Sequence, residues 1–274
     1  MTNLFPLKTK QFGIPTLMEA ESIDQMIDLC LEIGAGFIEL NTNFPLYLQH
    51  NLIETDALNK LAEKGLSCSI HLPEMLDLGS FQPELRLGAL GMLGHLVDIV
   101  PPETRFIAHM NTGIPVSLPD RKVFLYDYWN KVFLEALRKS AYECSRILER
   151  KSCCLCMENI GNFSLKHIQD GLKVLLEQES IGLIWDVGHD TTAGITDTPF
   201  FLEHIEKVAE LHVHDSLRGN DHLPLFTGKT DILQALSLAS QRKLPVVVEV
   251  KTAEGLKRSF ITLSEKGLVS KSYV

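Results

Sequence analysis

The chain of 274 residues is 45% hydrophobic and 22% charged, an ordinary globular composition, and no Pro/Gly/Ser-rich linker or low-complexity block divides it. Its net charge of −9 gives no general attraction to nucleic acid or to an anionic membrane, and no apolar run approaches the ~20 residues of a membrane span. Met1 to Pro6 form neither a basic region nor a long apolar core, so no secretory signal is expected and the cytoplasm is the expected location.

In chain order the pattern is strand then helix, repeated. Phe12 to Ile14 is a short first strand, and Ser22 caps a helix with Ile23, Met26, Ile27, Leu29 and Cys30 on its apolar side, ending near Gly34. Gly36 to Leu40 is the second strand, followed by a helix from about Glu54 to Lys64. Leu66 to His71 is the third, and a helix from Glu84 to Val100 stops at Pro101-Pro102. Phe106 to His109 is the fourth, followed by a long helix from Tyr126 to Arg150. Cys153 to Glu158 is the fifth, with a helix from Ser164 to Gln178. The sixth runs from Gly182 to Asp186, with a helix near Pro199 to Val208. Glu210 to His214 is the seventh, Asp231 starts another helix, Pro245 to Val250 is the eighth, and a helix from Glu254 to Lys266 follows.

Eight strands alternating with helices predict a single (β/α)8 TIM barrel over residues 1–274. A doubly wound open sheet is the competitor. The barrel is favoured because polar side chains end many different strands instead of gathering at one switch point. The six cysteines include Cys153, Cys154 and Cys156 in one strand, which cannot build a regular disulfide framework, so reduced thiols are expected.

The strand ends carry the functional signal. Glu39, His71, His109, Glu158, Asp186, His212 and Glu249 all fall at or near the carboxyl end of a strand, and all are types that bind divalent metals. A single such residue is usually structural, and Glu39 alone is read that way. The set is different, because buried like charges repel and few cations stand near them. Alternation along the strands places Ser69, Ile107, Cys156, Ile184 and Val247 in the barrel interior beneath this polar crown.

His71 stands in Ile-His-Leu-Pro, His109 in Ala-His-Met-Asn, Glu158 in Met-Glu-Asn-Ile-Gly, and Asp186 and His189 in Asp-Val-Gly-His. His212 stands in Leu-His-Val-His-Asp, His222 in Asp-His-Leu-Pro and Glu249 in Val-Val-Glu-Val. In their order and spacing these motifs resemble the xylose-isomerase-like barrel superfamily over strands two to eight. That superfamily contains sugar and sugar-phosphate isomerases and epimerases, and also the type-IV apurinic endonucleases. The epimerase branch implies one divalent ion, Mn2+ or Zn2+, held by Glu158, Asp186, His212 and Glu249. It also implies that Glu158 and Glu249 act as acid and base, and that His189 and Arg218 contact the substrate. The endonuclease branch implies three zinc ions, the first on His71, His109 and Glu158 and the third on His189, an Asp and His222. Asn220 stands where that Asp is expected, with Asp221 one residue out of register, and Glu74 replaces an aromatic.

The expected activity is therefore a metal-dependent sugar or sugar-phosphate isomerase or epimerase acting through an enediolate, with His189, Arg218 and His222 as substrate contacts. A multi-zinc phosphodiesterase or endonuclease is the alternative, for which His71 and His109 supply a second metal site. A barrel that only senses a metabolite is a third reading. Asp215 reads equally as a partner that orients an imidazole or as a loop acid capping backbone amides. Arg218 and Lys229 are candidate anion contacts, and the role of His214 is left open. The expected partner is a small sugar or sugar phosphate; nucleic acid and membrane are not expected. A homodimer is expected through Phe5, Leu7, Phe44, Tyr47 and Leu48.

Overall fold

Eight short runs rich in Val, Ile, Leu and Phe form the barrel strands: β1 (Phe12–Pro15), β2 (Phe37–Asn41), β3 (Ser67–His71), β4 (Arg105–His109), β5 (Cys154–Glu158), β6 (Ile181–Asp186), β7 (Val208–Val213) and β8 (Val246–Val248). In this computed structural model, which describes residues 6–270, each strand pairs in parallel with the next. The ring closes where Val246 and Val247 of β8 lie beside Phe12 and Gly13 of β1. Closure settles the architecture as a (β/α)8 barrel and removes the open-sheet competitor.

Near-continuous apolar strands are what a parallel sheet needs when helices cover its outer face and side chains fill its inner one. Leu211 and Val213 of β7 point outward into the main core, where helices pack. Ile107, Cys156 and Ile184 form a separate apolar cluster inside the barrel, as alternation predicts, and Ser69 and Val247 are fully buried. The register of β7 on β6 shifts between Val208 and Glu210, a bulge of the kind that re-aims side chains beside active sites.

The helices begin and end on local chemistry. Ser22 accepts from the Gln25 amide at the start of α1 (Ile23–Ile33), which Gly34 stops at φ +77°. The predicted helix from Glu54 to Lys64 is two, α2 (Gln49–Glu54) and α3 (Ala57–Glu63), because Asp56 between them is left-handed at φ +54°. After α4 (Pro83–Ile99), the long helix predicted from Tyr126 divides at Trp129 into α5 (Leu125–Tyr128) and α6 (Asn130–Glu149). After α7 (Lys166–Leu175), the chain turns from Asp186 directly into α8 (Val187–Thr192), which the sequence did not signal. The helix expected near Pro199 to Val208 is shorter, α9 (Thr198–Glu203) plus a 3-10 turn, and Val208 already belongs to β7. Asp231 and Thr252 cap α10 (Ile232–Arg242) and α11 (Ala253–Glu265) through the amides of Gln234 and Gly255.

Two antiparallel hairpins extend loops after barrel strands: Pro115–Ser117 with Lys122–Phe124 after β4, and Asp215–Leu217 with Asn220–Leu223 after β7. The proposed dimer patch is not an exposed face. Leu7 and Tyr47 are buried in the core, Phe44 packs against it, and only Leu48 is exposed; Phe5 and the rest of Met1 to Phe5 lie outside the described residues. No helix among the described residues is long and apolar enough to cross a membrane.

Candidate metal centre

Four strands deliver the central donor set. Glu158 ends β5, Asp186 ends β6, His212 lies near the end of β7 and Glu249 follows β8; one ligand atom from each lies within 4.8 Å of the others. All four are at least 96% buried. His212 Nδ1 is 2.6 Å from Glu158 Oε1 and 3.6 Å from Glu249 Oε2, yet the approaches are out of line. Asp186 Oδ2, His212 Nδ1 and Glu249 Oε2 are buried atoms without a hydrogen-bond partner among the described residues. Leaving a buried polar atom unpaired costs about 1–3 kcal/mol, so three together need a common partner. Their chemistry, carboxylate oxygen and imidazole nitrogen, fits a divalent ion such as Mn2+ or Zn2+. Asn159 fixes the neighbouring strand end: its Oδ1 accepts from the Asp186 amide at 2.8 Å and its Nδ2 donates to the Asp186 carbonyl at 3.0 Å.

His71 and His109 join the same centre through Glu158. Their Nε2 atoms lie 3.3 and 3.0 Å from Glu158 Oε2, and the His71 Nδ1 faces the Leu72 carbonyl at 2.9 Å. Glu74, unassigned from sequence, reaches His109 Nδ1 at 2.5 Å. Burial alone would raise the Glu158 carboxyl, but His212, His109 and His71 outweigh it and hold it well below the carboxylate range. Burial alone would lower His109; Glu158 and Glu74 push it up to about 10.

That shift fixes the sign of a pH dependence. A histidine that binds its proton more tightly when folded stabilises the fold fully below its unfolded value near 6.5, and the contribution is lost as pH rises towards 10. His71, His212 and His214 shift in the same direction, while Glu158 and Glu249, held low, stay ionised across that window. Chelator-treated protein is therefore expected to melt at progressively lower temperature from pH 7 to pH 10 by scanning calorimetry, with a shallower slope in His109→Gln. A flat profile contradicts the assignment.

On the other side of Asp186 stand three more imidazoles. His189 of α8 places Nδ1 3.3 Å from Asp221 Oδ2, and His214 places Nε2 3.1 Å from Asp186 Oδ1. His214 Nδ1 accepts from the His222 amide at 2.9 Å, and one nitrogen of each imidazole lies with a Glu249 oxygen within 4.8 Å. Asp221, not Asn220, is the acid that meets His189, because the hairpin turns Asn220 outward. Gly188 makes room for this group: a Cβ there would lie 2.2 Å from the His214 ring. Gly188→Ala is expected to cost about 1–3 kcal/mol by overpacking. The loss should show in thermal melts, and Gly188→Ala/His214→Ala should recover part of it; an unchanged melt for the single variant would mean the ring has room to move.

Other residues singled out in the sequence fall outside the cluster. Arg218 sits at the exposed tip of the second hairpin at φ +55° and makes no ion pair among the described residues, so it does not join the cluster. Asp215 is a loop clamp: its carboxylate accepts from the amides of Ser216, Gly228 and Thr230 and touches no imidazole. Lys229 lines a cleft outside the barrel with Trp185, Thr198 and Gln234. Lys251 is the cation that does reach the centre, with Nζ 2.5 Å from Glu249 Oε1, and its position two residues beyond Glu249 was the available signal. Glu39 is buried within β2, with Oε2 3.1 Å from His212 Nε2.

No protein-family model matches the chain, and a search of curated proteins finds no match. Solved structures do resemble it. A 3-keto-D-glucoside 4-epimerase from Escherichia coli superposes with a TM-score of 0.73 at 15% identity, covering 93% of this chain and 99% of that one. A D-tagatose 3-epimerase-like protein gives 0.71 at 18% identity, over 93% and 96%. The IolI protein with a bound zinc atom gives 0.67 at 15% identity, over 94% and 97%.

Proposed function

We propose that this chain, whose fold is that of the xylose-isomerase-like barrels, is a divalent-metal-dependent sugar or sugar-phosphate isomerase or epimerase. One observation carries the reading: Asp186 Oδ2, His212 Nδ1 and Glu249 Oε2, buried and unpartnered, converge with Glu158 at the carboxyl ends of four barrel strands. Glu158, Asp186, His212 and Glu249 would hold the ion. When bound, it supplies Lewis-acid stabilisation of charge on a substrate oxygen.

The chain's own residues do the rest. Glu158 and Glu249 flank His212 Nδ1, and both are kept ionised: burial opposes this in Glu249, but Lys251 and His212 outweigh it. A carboxylate so held can take a proton from the carbon beside a carbonyl, and its opposite number, once it has picked up a proton from solvent, can deliver that proton to the other face, which inverts the carbon. His189 and His222 face the same space and are proposed to bind substrate hydroxyls. Arg218 has no role in this reading.

A second reading, a multi-metal phosphodiesterase or endonuclease, draws on two of the three further donor groups, His71 with Glu74 and His109, and His189 with His214, His222 and Glu249. Metal content per chain together with deuterium uptake from solvent by free ketoses and their phosphates separates the two. One ion with exchange at carbon supports the isomerase; two or three ions with no exchange on any ketose refute it.

A further inference from the structure

Directly below His212 the barrel interior holds an ion pair that the chemistry above does not use, its carboxylate fully buried and its guanidinium partly exposed. Arg105 opens β4, and its Nε and one terminal nitrogen reach Glu210 Oε2 at 2.9 and 2.8 Å. The other oxygen of Glu210, Oε1, faces His212 Nε2 at 3.3 Å in hydrogen-bond geometry. Glu210 is fully buried, and the guanidinium lies over the Phe37 ring, 5.6 Å from its centroid. Glu39 also approaches His212 Nε2, but its Oε2 makes no aligned hydrogen bond.

Such a pair is poor value as filling. Replacing a buried ion pair with apolar side chains of similar size is often neutral or stabilising, and Ile107, Cys156 and Ile184 show that this interior accepts apolar packing. What the pair does accomplish is directional. Arg105 holds Glu210 as an acceptor, Glu210 accepts a hydrogen bond from the Nε2–H of His212, and the Nδ1 lone pair is left facing Glu158, Asp186 and Glu249. We infer that Arg105 and Glu210 are positioning residues, which fix the tautomer and orientation of His212 and thereby set the affinity of the centre for its ion. The inference rests on the reading of these four residues as a metal site and is independent of any sugar being the substrate.

The test uses the full chain and Mn2+ or Co2+ as probe. Arg105→Met/Glu210→Leu is expected to melt, in EDTA, at or above the wild-type temperature. Its Mn2+ affinity by calorimetric titration should be about 10–100-fold weaker, and the visible absorption of the Co2+ form should shift as the imidazole is released. Arg105→Lys, which restores a cation beside Glu210, should recover most of the affinity. If the double variant does not fold, Glu210→Gln carries the test: its amide keeps the shape but no longer obliges Nε2 to be the donor, and at least threefold weaker binding is expected. Wild-type affinity and an unshifted Co2+ spectrum in the folded variants overturn the inference and leave the metal site standing. A wild-type chain that binds neither ion overturns both.

Discussion

Glu158→Gln is expected to lower kcat about 1,000-fold or more while leaving the barrel folded. Glu158 is the most heavily engaged of the donors, 2.6 Å from His212 and 3.3 and 3.0 Å from His71 and His109. The amide keeps the volume but loses the charge, so it can neither hold an ion with the same strength nor accept a proton from carbon. General-base catalysis alone is worth roughly 100- to 10,000-fold, and weakened metal binding multiplies the loss. Turnover of the best ketose substrate, metal content and circular dichroism should be measured on one preparation. Native dichroism with undiminished turnover and a full metal complement would remove Glu158 from the chemistry.

Stripping the divalent ion should have the second-largest effect, on stability. Three unpartnered buried atoms and several buried carboxylates lose their common counter-charge when it leaves. A ligand bound only by the folded state, present at 100 to 1,000 times its Kd, stabilises by about 2.7–4.1 kcal/mol. At roughly 2–4 °C per kcal/mol for a chain of this size, EDTA is expected to lower Tm by roughly 5–15 °C, and excess Mn2+ to restore it. A Tm indifferent to EDTA and to Mn2+ would show that the pocket is held together by its own ion pairs.

The barrel and its rim were legible because each strand reads as an apolar run closed by a ligand-type side chain. The two-residue period correctly placed Ile107, Cys156 and Ile184 inside. Helix starts at Ser22 and Asp231 were equally local and equally readable. What stayed hidden depends on how the loops return. Asp215 meets amides of residues 216, 228 and 230, a choice made by the hairpin and invisible in the residue itself. Asp221 looked displaced by one position, until the hairpin turned Asn220 outward and presented its neighbour to His189. Asp56 and Trp129 broke helices that apolar periodicity alone would continue, since backbone dihedrals at a single residue leave no trace in that pattern. Glu210 and Arg105 escaped notice because they sit where a barrel normally stores hydrocarbon.

Glu249 comes directly after β8, the strand that seals the ring against β1. A nascent polypeptide paused before that position already carries Glu158, Asp186 and His212, but lacks both the fourth donor and the seam that holds the circle shut. Ion capture must then await synthesis of the eighth strand, so loading follows the formation of nearly the whole barrel. Ribosome-bound chains halted before residue 249 should retain no Mn2+, whereas chains released beyond strand β8 should.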